Sequence, residues 1–412
     1  MHDTDVVVIG AGAAGIAAAR RLTDKQIPNI VLEARNRIGG RAWTHTASGF
    51  PLDLGCGYLH SGDENDWAEI APTLGLTVDR TRLGWDRTAI EANFSAADQD
   101  SFWRAFERLE DRAEEAEEAG IDCPVSTLLK PGGRWNALIN ALATYIDGVE
   151  LDQLTAVEYD VYRDTEVNWR VREGYGALIA TYAKPLDIRL ECPASLIDHS
   201  GKRLRIVTPQ GDITARAAII AVPPTLIANG TLRFAPAIPD KLAAAHALPL
   251  GVADKVFLSV DKADDLPRET VLFGSTTSTA TGLYSLRPFG WPLIQGYFGG
   301  ACSRALEMKG DGAFASFAIE ELCGVLGNTW RSRLHPIIET AWAGDPWSLG
   351  AYSYAGKNAR ANRATLAAPV DERLFFAGEH CSDKDFSTAH GAYRAGKKAA
   401  KGAVKALKAL GA

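Results

Sequence analysis

The chain has 412 residues, 46% apolar and 23% charged, which matches soluble globular proteins and suffices to bury the cores of two or three domains; disorder and fibrous repeats are excluded. Lys plus Arg total 44 against Asp plus Glu 51, a net charge of −7 with a pI near 5.7, so no basic field favours nucleic acid or an acidic membrane surface, while a small cation meets no electrostatic barrier. Glycine alone departs from the average, with 39 of 412 residues where about 7% is usual.

In chain order, Met-His-Asp-Thr-Asp carries no basic start and no cleavage-site pattern, so a signal peptide is not expected and a cytoplasmic protein is. Val6–Ile9 is a continuous β-branched run of the kind buried in parallel sheets. It leads into Gly10-Ala11-Gly12-Ala13-Ala14-Gly15 and then the helix formers Ile16–Leu22. Strand, glycines and helix stand in the order a dinucleotide site requires: the first glycine turns tightly, the second lets backbone approach a pyrophosphate, and the third allows close helix–strand packing. The helix N-terminus then offers unpaired N–H groups to the phosphates. A second strand, Ile30–Leu32, ends at Glu33, 18 residues past Gly15, where an acid accepts hydrogen bonds from an adenosine ribose. Glu33-Ala34-Arg35-Asn-Arg37-Ile-Gly39-Gly40-Arg41 then adds a second glycine- and arginine-rich loop, which a plain nicotinamide dehydrogenase does not need.

Residues 98–119 read as a helix with Phe102, Phe106 and Leu109 inward and Glu114, Glu115, Glu117 and Glu118 on a solvated face. Cys192–Ile197, with Ala194, Arg203–Thr208 and Ile213–Ala221 are short strands with turns at Ser200-Gly201 and Gln210-Gly211. Gly251–Val260 is an apolar strand interrupted by Lys255, a residue that costs several kcal/mol in such a place unless paired, solvated or on an exposed face. Trp342–Tyr354 gathers two tryptophans and two tyrosines, Tyr352 among them, around Gly350. Leu374–Ala377 is a buried strand running into Gly378-Glu379-His380, and Phe386–Ala392 opens the last helix, whose lysines face solvent. The six cysteines are scattered without zinc-ligand spacing, so reduced thiols and no metal are expected, and no apolar run reaches membrane-spanning length.

The Glu33–Arg41 segment resembles the second fingerprint of the flavoprotein amine oxidase superfamily, which includes monoamine, polyamine and spermine oxidases, flavin histone demethylases and L-amino acid oxidases. Leu374–His380 with Phe386–Ala392, and Arg172–Ile179 around Gly174-Tyr-Gly176, resemble further segments of that family. The resemblance implies FAD. Gly10, Gly12, Ala13, Ala14, Gly15, Glu33, Ala34, Arg35, Gly39, Gly40 and Arg41 would hold its adenosine and pyrophosphate, and Gly378 and Glu379 its ribityl chain. Thr388 and Ala389 would face the flavin from the helix N-terminus. Asp53–His60 matches the segment beside the flavin, adding Gly55, Cys56, Gly57 and Tyr58, and Ala194 and Trp342 join the cofactor contacts. The implied fold is α/β (α+β overall): a Rossmann-like FAD-binding domain of the glutathione-reductase type, from residues 1–75, 170–245 and 345–412, interleaved with a substrate domain of mixed sheet and helices, 76–169 and 246–344.

Amine oxidation removes the equivalent of a hydride from the carbon beside nitrogen, with the flavin performing the redox chemistry. In the family, the residue matching Tyr352 is one wall of an aromatic cage; its ring would attract a cationic amine by ~0.5–2 kcal/mol. The opposite wall, a tyrosine in monoamine oxidases, matches Thr388, a shorter side chain that leaves room for a longer amine of the polyamine or demethylase type. The cysteine that binds flavin covalently in monoamine oxidases is replaced by Ala351, which implies noncovalent FAD. Lys255 matches the lysine that holds a water at flavin N5 and assists reaction with oxygen. His60 matches a histidine near the substrate of polyamine oxidases. Asp63, Glu64 and Asp66 are read either as attracting a second ammonium or as solvated loop acids. The expected activity is an FAD-dependent amine oxidase taking an amine and O2 and releasing peroxide. An L-amino acid oxidase with a carboxylate-clamping arginine, Arg287 or Arg304, and an amine dehydrogenase with another acceptor are the alternatives. The amine itself is open, and a homodimer is left open because dimers are common in relatives.

Overall fold

The computed structural model describes residues 2–82, 89–162 and 164–409. Val6, Val7 and Val8 have no exposed surface, because the strand His2–Ile9 lies inside an eight-stranded sheet covered on both faces. It pairs in parallel with Asn29–Leu32 on one side and Ile213–Ile220 on the other. Asn29–Leu32 pairs onward with Ile188–Arg189. Ile213–Ile220 serves two partners, Leu204–Val207 antiparallel along its first half and Leu374–Phe376 parallel along its second. Leu196–Asp198 and Arg233–Ala235 complete the edge.

The first helix, Ala13–Asp24, buries a face of alanine, glycine, isoleucine and leucine. Against it lies the last helix, Ala389–Ala409, whose alanines and Gly396 are buried while Lys398, Lys401, Lys405 and Lys408 are exposed. The small residues serve close approach: a methyl on Gly396 would lie 2.0 Å from the carbonyl oxygen of Ala14. No helix among the described residues is long and apolar enough to cross a membrane.

A second, five-stranded sheet runs in the order Thr270–Phe273, Leu283–Leu286, Leu293–Gly299, Ala253–Val260, Leu334–Glu339. All its pairings are antiparallel, since three consecutive strands return by short connections; the larger sheet is the mixed one. The helix Ala96–Glu118 packs Phe102 and Leu109 into a cluster with Phe94, Trp135 and Phe273, while Phe106 is half-buried. The two sheets meet where the segment after Phe50–Asp53 passes beneath Ala253–Val260, and the candidate site lies along this seam.

Candidate active site

The glycine positions divide into those the chain itself requires and one it does not. Gly10 has φ +103°, and a methyl on it would lie 2.6 Å from the Ala221 carbonyl; one on Gly15 would lie 1.8 Å from the Gly10 carbonyl. Gly12 is different: its φ is −81°, and a methyl would meet nothing closer than Gly39 and Gly40 at 3.9 Å. Nothing in the chain therefore demands glycine there, yet Gly12 caps the first helix, whose leading N–H groups have no side-chain cap. Gly12 also forms a bridge to Gly39, so the loops 10–15 and 39–41 stand backbone to backbone. This open cradle, with free N–H donors at a helix N-terminus, fits the pyrophosphate of a dinucleotide.

Glu33 ties the cradle together. Its carboxylate accepts from Ala11 N at 2.8 Å and from Arg35 N at 2.9 Å. Arg35 donates to Asp345 at 2.5 Å and Ser348 at 2.7 Å, and Arg37 donates to the Gly40 carbonyl while lying over the Trp43 ring. Ala34 is half-buried between these anchors, and buried Ala194 packs in the apolar cluster beneath Ile9 and Leu32. Arg41 reaches across to Glu379, donating at 2.8 Å, and to the Ala351 carbonyl at 2.6 Å. Glu379 also accepts from Ser353 N, Ser353 Oγ and Ser387 N. Burial would raise its carboxyl pKa, but Arg41, then His380 and Arg363, with the Ser353 hydroxyl, outweigh it and hold the group at about 2. Gly378 is buried beneath the His380 ring, which leaves a methyl no room. Two ionic networks, Glu33–Arg35–Asp345 and Arg41–Glu379, thus tie the first two glycine loops to residues 345–353 and to the end of the strand Leu374–Phe376.

Lys255 lies buried at the seam, in the inner strand Ala253–Val260, the fourth of the five-stranded sheet. Its Nζ donates to the carbonyls of Asp53 at 2.9 Å and Gly55 at 2.6 Å. Burial lowers its pKa, and the nearby Asp53 charge opposes that shift. An ammonium has three donors, so one remains beyond these two bonds. A cavity of about 30 Å³ is lined by Lys255, Asp53, Gly57 and Tyr58, enough for a water-sized molecule. A methyl on Gly57 would stand 3.3 Å from Nζ, and one on Gly55 would clash with the Arg41 carbonyl. Asp53 itself caps the helix Tyr175–Ala183, accepting from Tyr175 N at 3.0 Å and from Thr44 Oγ1 at 2.5 Å. Trp342 is buried over Gly55, its indole donating to the Leu54 carbonyl.

Tyr297 is the cross-strand partner of Lys255; such partners share a face, and the Lys255 Nζ lies 5.8 Å from its ring centroid. The Tyr297 hydroxyl is 3.1 Å from that of Tyr352, which donates to the Tyr145 carbonyl at 2.6 Å. Burial, then Tyr297, pushes the Tyr352 phenol well above its ordinary pKa, so it stays neutral. Lys255, Tyr297 and Tyr352 are therefore contiguous.

Thr388 opens the last helix. Its hydroxyl donates to the Asp385 carbonyl and accepts from Gly391 N, capping the last helix. Ala389 accepts the Trp67 indole N–H through its carbonyl. His60 lies 6.0 Å ring to ring from Tyr58, and its Nδ1 is 2.6 Å from Asn168 Oδ1. That oxygen only accepts, so Nδ1 carries the proton and Nε2 is left as the acceptor. Burial lowers the His60 pKa against the opposing pull of Asp164 and Asn168. Cys56 and Cys381 are free thiols, each pushed up to about 12 by burial. Among the described residues no group of His, Cys, Asp and Glu is arranged to hold a metal.

Tyr297, the Tyr145 carbonyl and the ion pair of Arg363 with Glu158 belong to this region and follow from no motif. Asp53 stood in a motif, though only the fold reveals that it caps a helix.

Comparison with solved structures places the fold among flavin-dependent amine oxidases. The cyclohexylamine oxidase from Brevibacterium oxydans superposes with a TM-score of 0.80 at 22% identity, over 98% of this chain and 100% of that one. A putrescine oxidase bound to putrescine gives 0.81 at 19% identity, over 98% and 99%. The model of the flavin-containing amine oxidoreductase family matches residues 13–122 and 141–404, and the chain belongs to that family. It is an FAD-dependent enzyme of amine oxidation. Similar sequences include polyamine oxidase 2 of Arabidopsis thaliana, 32% identical over 96% of this chain and 87% of that protein. Polyamine oxidase 3 of Oryza sativa subsp. japonica is 30% identical over 97% and 89%. Human lysine-specific histone demethylase 2 is 25% identical over 96% of this chain but 53% of its own length.

Proposed function

We propose that this enzyme oxidises a di- or polyamine with dioxygen as acceptor, releasing hydrogen peroxide, and that FAD is held noncovalently. The observation that carries this reading is the buried Lys255, with one donor beyond its carbonyl bonds, contiguous with the tyrosine pair. The FAD would lie in the cradle of Gly10–Gly15 and Gly39–Arg41, along Glu379 and over Gly55–Tyr58, held by segments 1–75, 170–245 and 345–412. The remainder, 76–169 and 246–344, would shape the amine site.

FAD supplies the acceptor for a hydride equivalent from the carbon beside the amine nitrogen. The protein contributes the rest. The Tyr352 ring orients the amine, and an aromatic face tolerates its cationic form on arrival. The phenols of Tyr297 and Tyr352 are neutral and place no anion beside the amine, so they do not favour its protonated form over the unprotonated amine that can react. The neutral His60 Nε2 can accept a hydrogen bond from an amine N–H. Lys255, a cation beside Gly55 and Gly57, holds a water or stabilises negative charge developing on oxygen. The preference for polyamines rests on the similarity to the two plant polyamine oxidases.

The amino acid oxidase alternative is weaker: Arg287 is engaged by Asp264 and the Leu266 carbonyl, and Arg304 is exposed on the helix Gly300–Glu307. The test is peroxide release from purified protein over a panel of polyamines, diamines, monoamines and L-amino acids. Peroxide matching polyamine consumption is expected; turnover confined to amino acids, or turnover needing a non-oxygen acceptor, overturns the proposal.

A further inference from the structure

Asp254 precedes Lys255 in the strand Ala253–Val260, and successive side chains of a strand alternate between faces. The sheet therefore sends Lys255 to the seam and Asp254 toward the helix Gly300–Glu307. Asp254 has no exposed surface. Its Oδ1 accepts from Thr340 Oγ1 at 2.8 Å and from Trp342 N at 2.9 Å, and its Oδ2 from Ser303 Oγ at 2.7 Å. Glu307, half-buried at the end of that helix, accepts from Ala343 N at 2.9 Å and from Gly344 N at 3.0 Å. Two acids thus hold three consecutive main-chain N–H groups, which brings the acids themselves into hydrogen-bond contact. The segment they hold carries the Trp342 indole, which donates to the Leu54 carbonyl at 3.0 Å and covers Gly55.

No cation answers this pair. Arg304, on the helix of Glu307, is exposed, Lys255 is committed to the Asp53 and Gly55 carbonyls, and among the described residues neither acid has an ion-pair partner. The other titratable groups on the packed elements are uncharged or engaged. Tyr297 and Tyr352, on which the Asp254 charge acts, stay neutral. Burial pushes the Cys302 thiol up to about 12, and Glu339 accepts from the Gly312 and Ala315 amides. Two carboxylates in contact repel, and one proton shared between them turns the repulsion into a hydrogen bond. Burial, then the hydrogen bond to Asp254 and its charge, push the Glu307 carboxyl up to about 7. The shift is upward, so the proton is held in full below the ordinary 4.5 and is lost as pH rises through about 7.

We propose that Asp254 and Glu307 are positioning residues for the cofactor: with one proton between them they fix the Trp342–Gly344 backbone and so seat the Trp342 indole on Gly55. Loss of that proton leaves two adjacent anions in a largely buried place, and the segment loosens. This rests on the placement of FAD over Gly55–Tyr58 proposed above.

The test follows the holoenzyme from about pH 6 to about pH 8.5, on either side of the Glu307 ionisation. It uses two readouts: hydrogen exchange of a peptide spanning residues 340–346, corrected for the intrinsic rise of exchange with pH, and free flavin fluorescence after ultrafiltration. In the wild type the corrected exchange should rise through a single ionisation near pH 7, and FAD affinity should fall about ten-fold, the effect of one pKa unit of coupling. Asp254→Asn keeps an acceptor oxygen for Thr340 and Trp342 and offers Glu307 an N–H in place of the shared proton, so both readouts should become flat with pH. Corrected exchange that is flat in the wild type, or that keeps its transition in Asp254→Asn, overturns the proposal. An exchange transition with FAD affinity unmoved overturns the positioning role. The wild-type profiles decide even where the variant fails to fold, and they need no amine turnover, whose absence would defeat the amine oxidase reading separately.

Discussion

Replacing Glu379 with Gln removes one charge from the point where three chain segments meet. The carboxylate holds Arg41, both donors of Ser353 and the Ser387 amide. Its pKa in the fold is about 2, against an ordinary 4.5, and a shift of that size corresponds to about 3 kcal/mol in favour of the ionised form. The shift is downward, so this stability is present in full above pH 4.5 and is lost as pH falls toward 2. Glu379→Gln should therefore unfold in urea with about 3 kcal/mol less stability near neutral pH. The gap should close to about half near pH 3, because the carboxyl of the unfolded chain is protonated below about pH 4.5 while the folded one is still largely ionised. Tryptophan fluorescence against urea, at a series of pH values, reads both quantities. Equal midpoints at neutral pH, or a gap that does not change with acidification, would refute the reasoning.

Lys255→Met should slow oxidation of the reduced flavin by oxygen by ~10²-fold or more, as loss of a positioned cation at developing charge implies, with FAD still bound; stopped-flow mixing with oxygen measures it, and an unchanged rate removes the role. Gly12→Ala should fold with an unchanged far-UV spectrum yet retain little FAD after gel filtration, because its methyl meets nothing in the chain closer than 3.9 Å but would stand in the pyrophosphate cradle. Gly15→Ala should instead destabilise the fold by ~1–3 kcal/mol or more in urea, since its methyl would lie 1.8 Å from a carbonyl oxygen. Acid precipitation should leave the yellow colour in the supernatant, since Cys56 and Cys381, with pKa values near 12, are protonated at neutral pH and poor nucleophiles; flavin on the pelleted polypeptide would contradict noncovalent binding.

Features visible in the sequence were those whose chemistry is contiguous. Gly10–Gly15 and Glu33–Arg41 each carry their function within one loop, and the small-residue face of the last helix is written in its alanines. Lys255 stood out because a lone lysine in an apolar strand needs an explanation, and the seam of two sheets provides it. Tyr297 was hidden, because only the antiparallel register brings it beside Lys255, 42 positions away. Asp254 and Glu307 were hidden for a related reason: one lies in a strand and the other ends a helix, 53 positions on, and only tertiary packing sets them against three consecutive amides. At Thr388 a local signal was available, since a threonine just before a helix whose third residue offers a free N–H is a capping position.

The most direct measurement is anaerobic mixing of the yellow holoenzyme with a diamine, following flavin absorbance in the stopped flow. Rapid bleaching by 1,4-diaminobutane that saturates with concentration, followed by return of the colour with peroxide on admission of oxygen, is the predicted result. A flavin that stays oxidised with every amine offered, while remaining reducible by dithionite, would contradict the account.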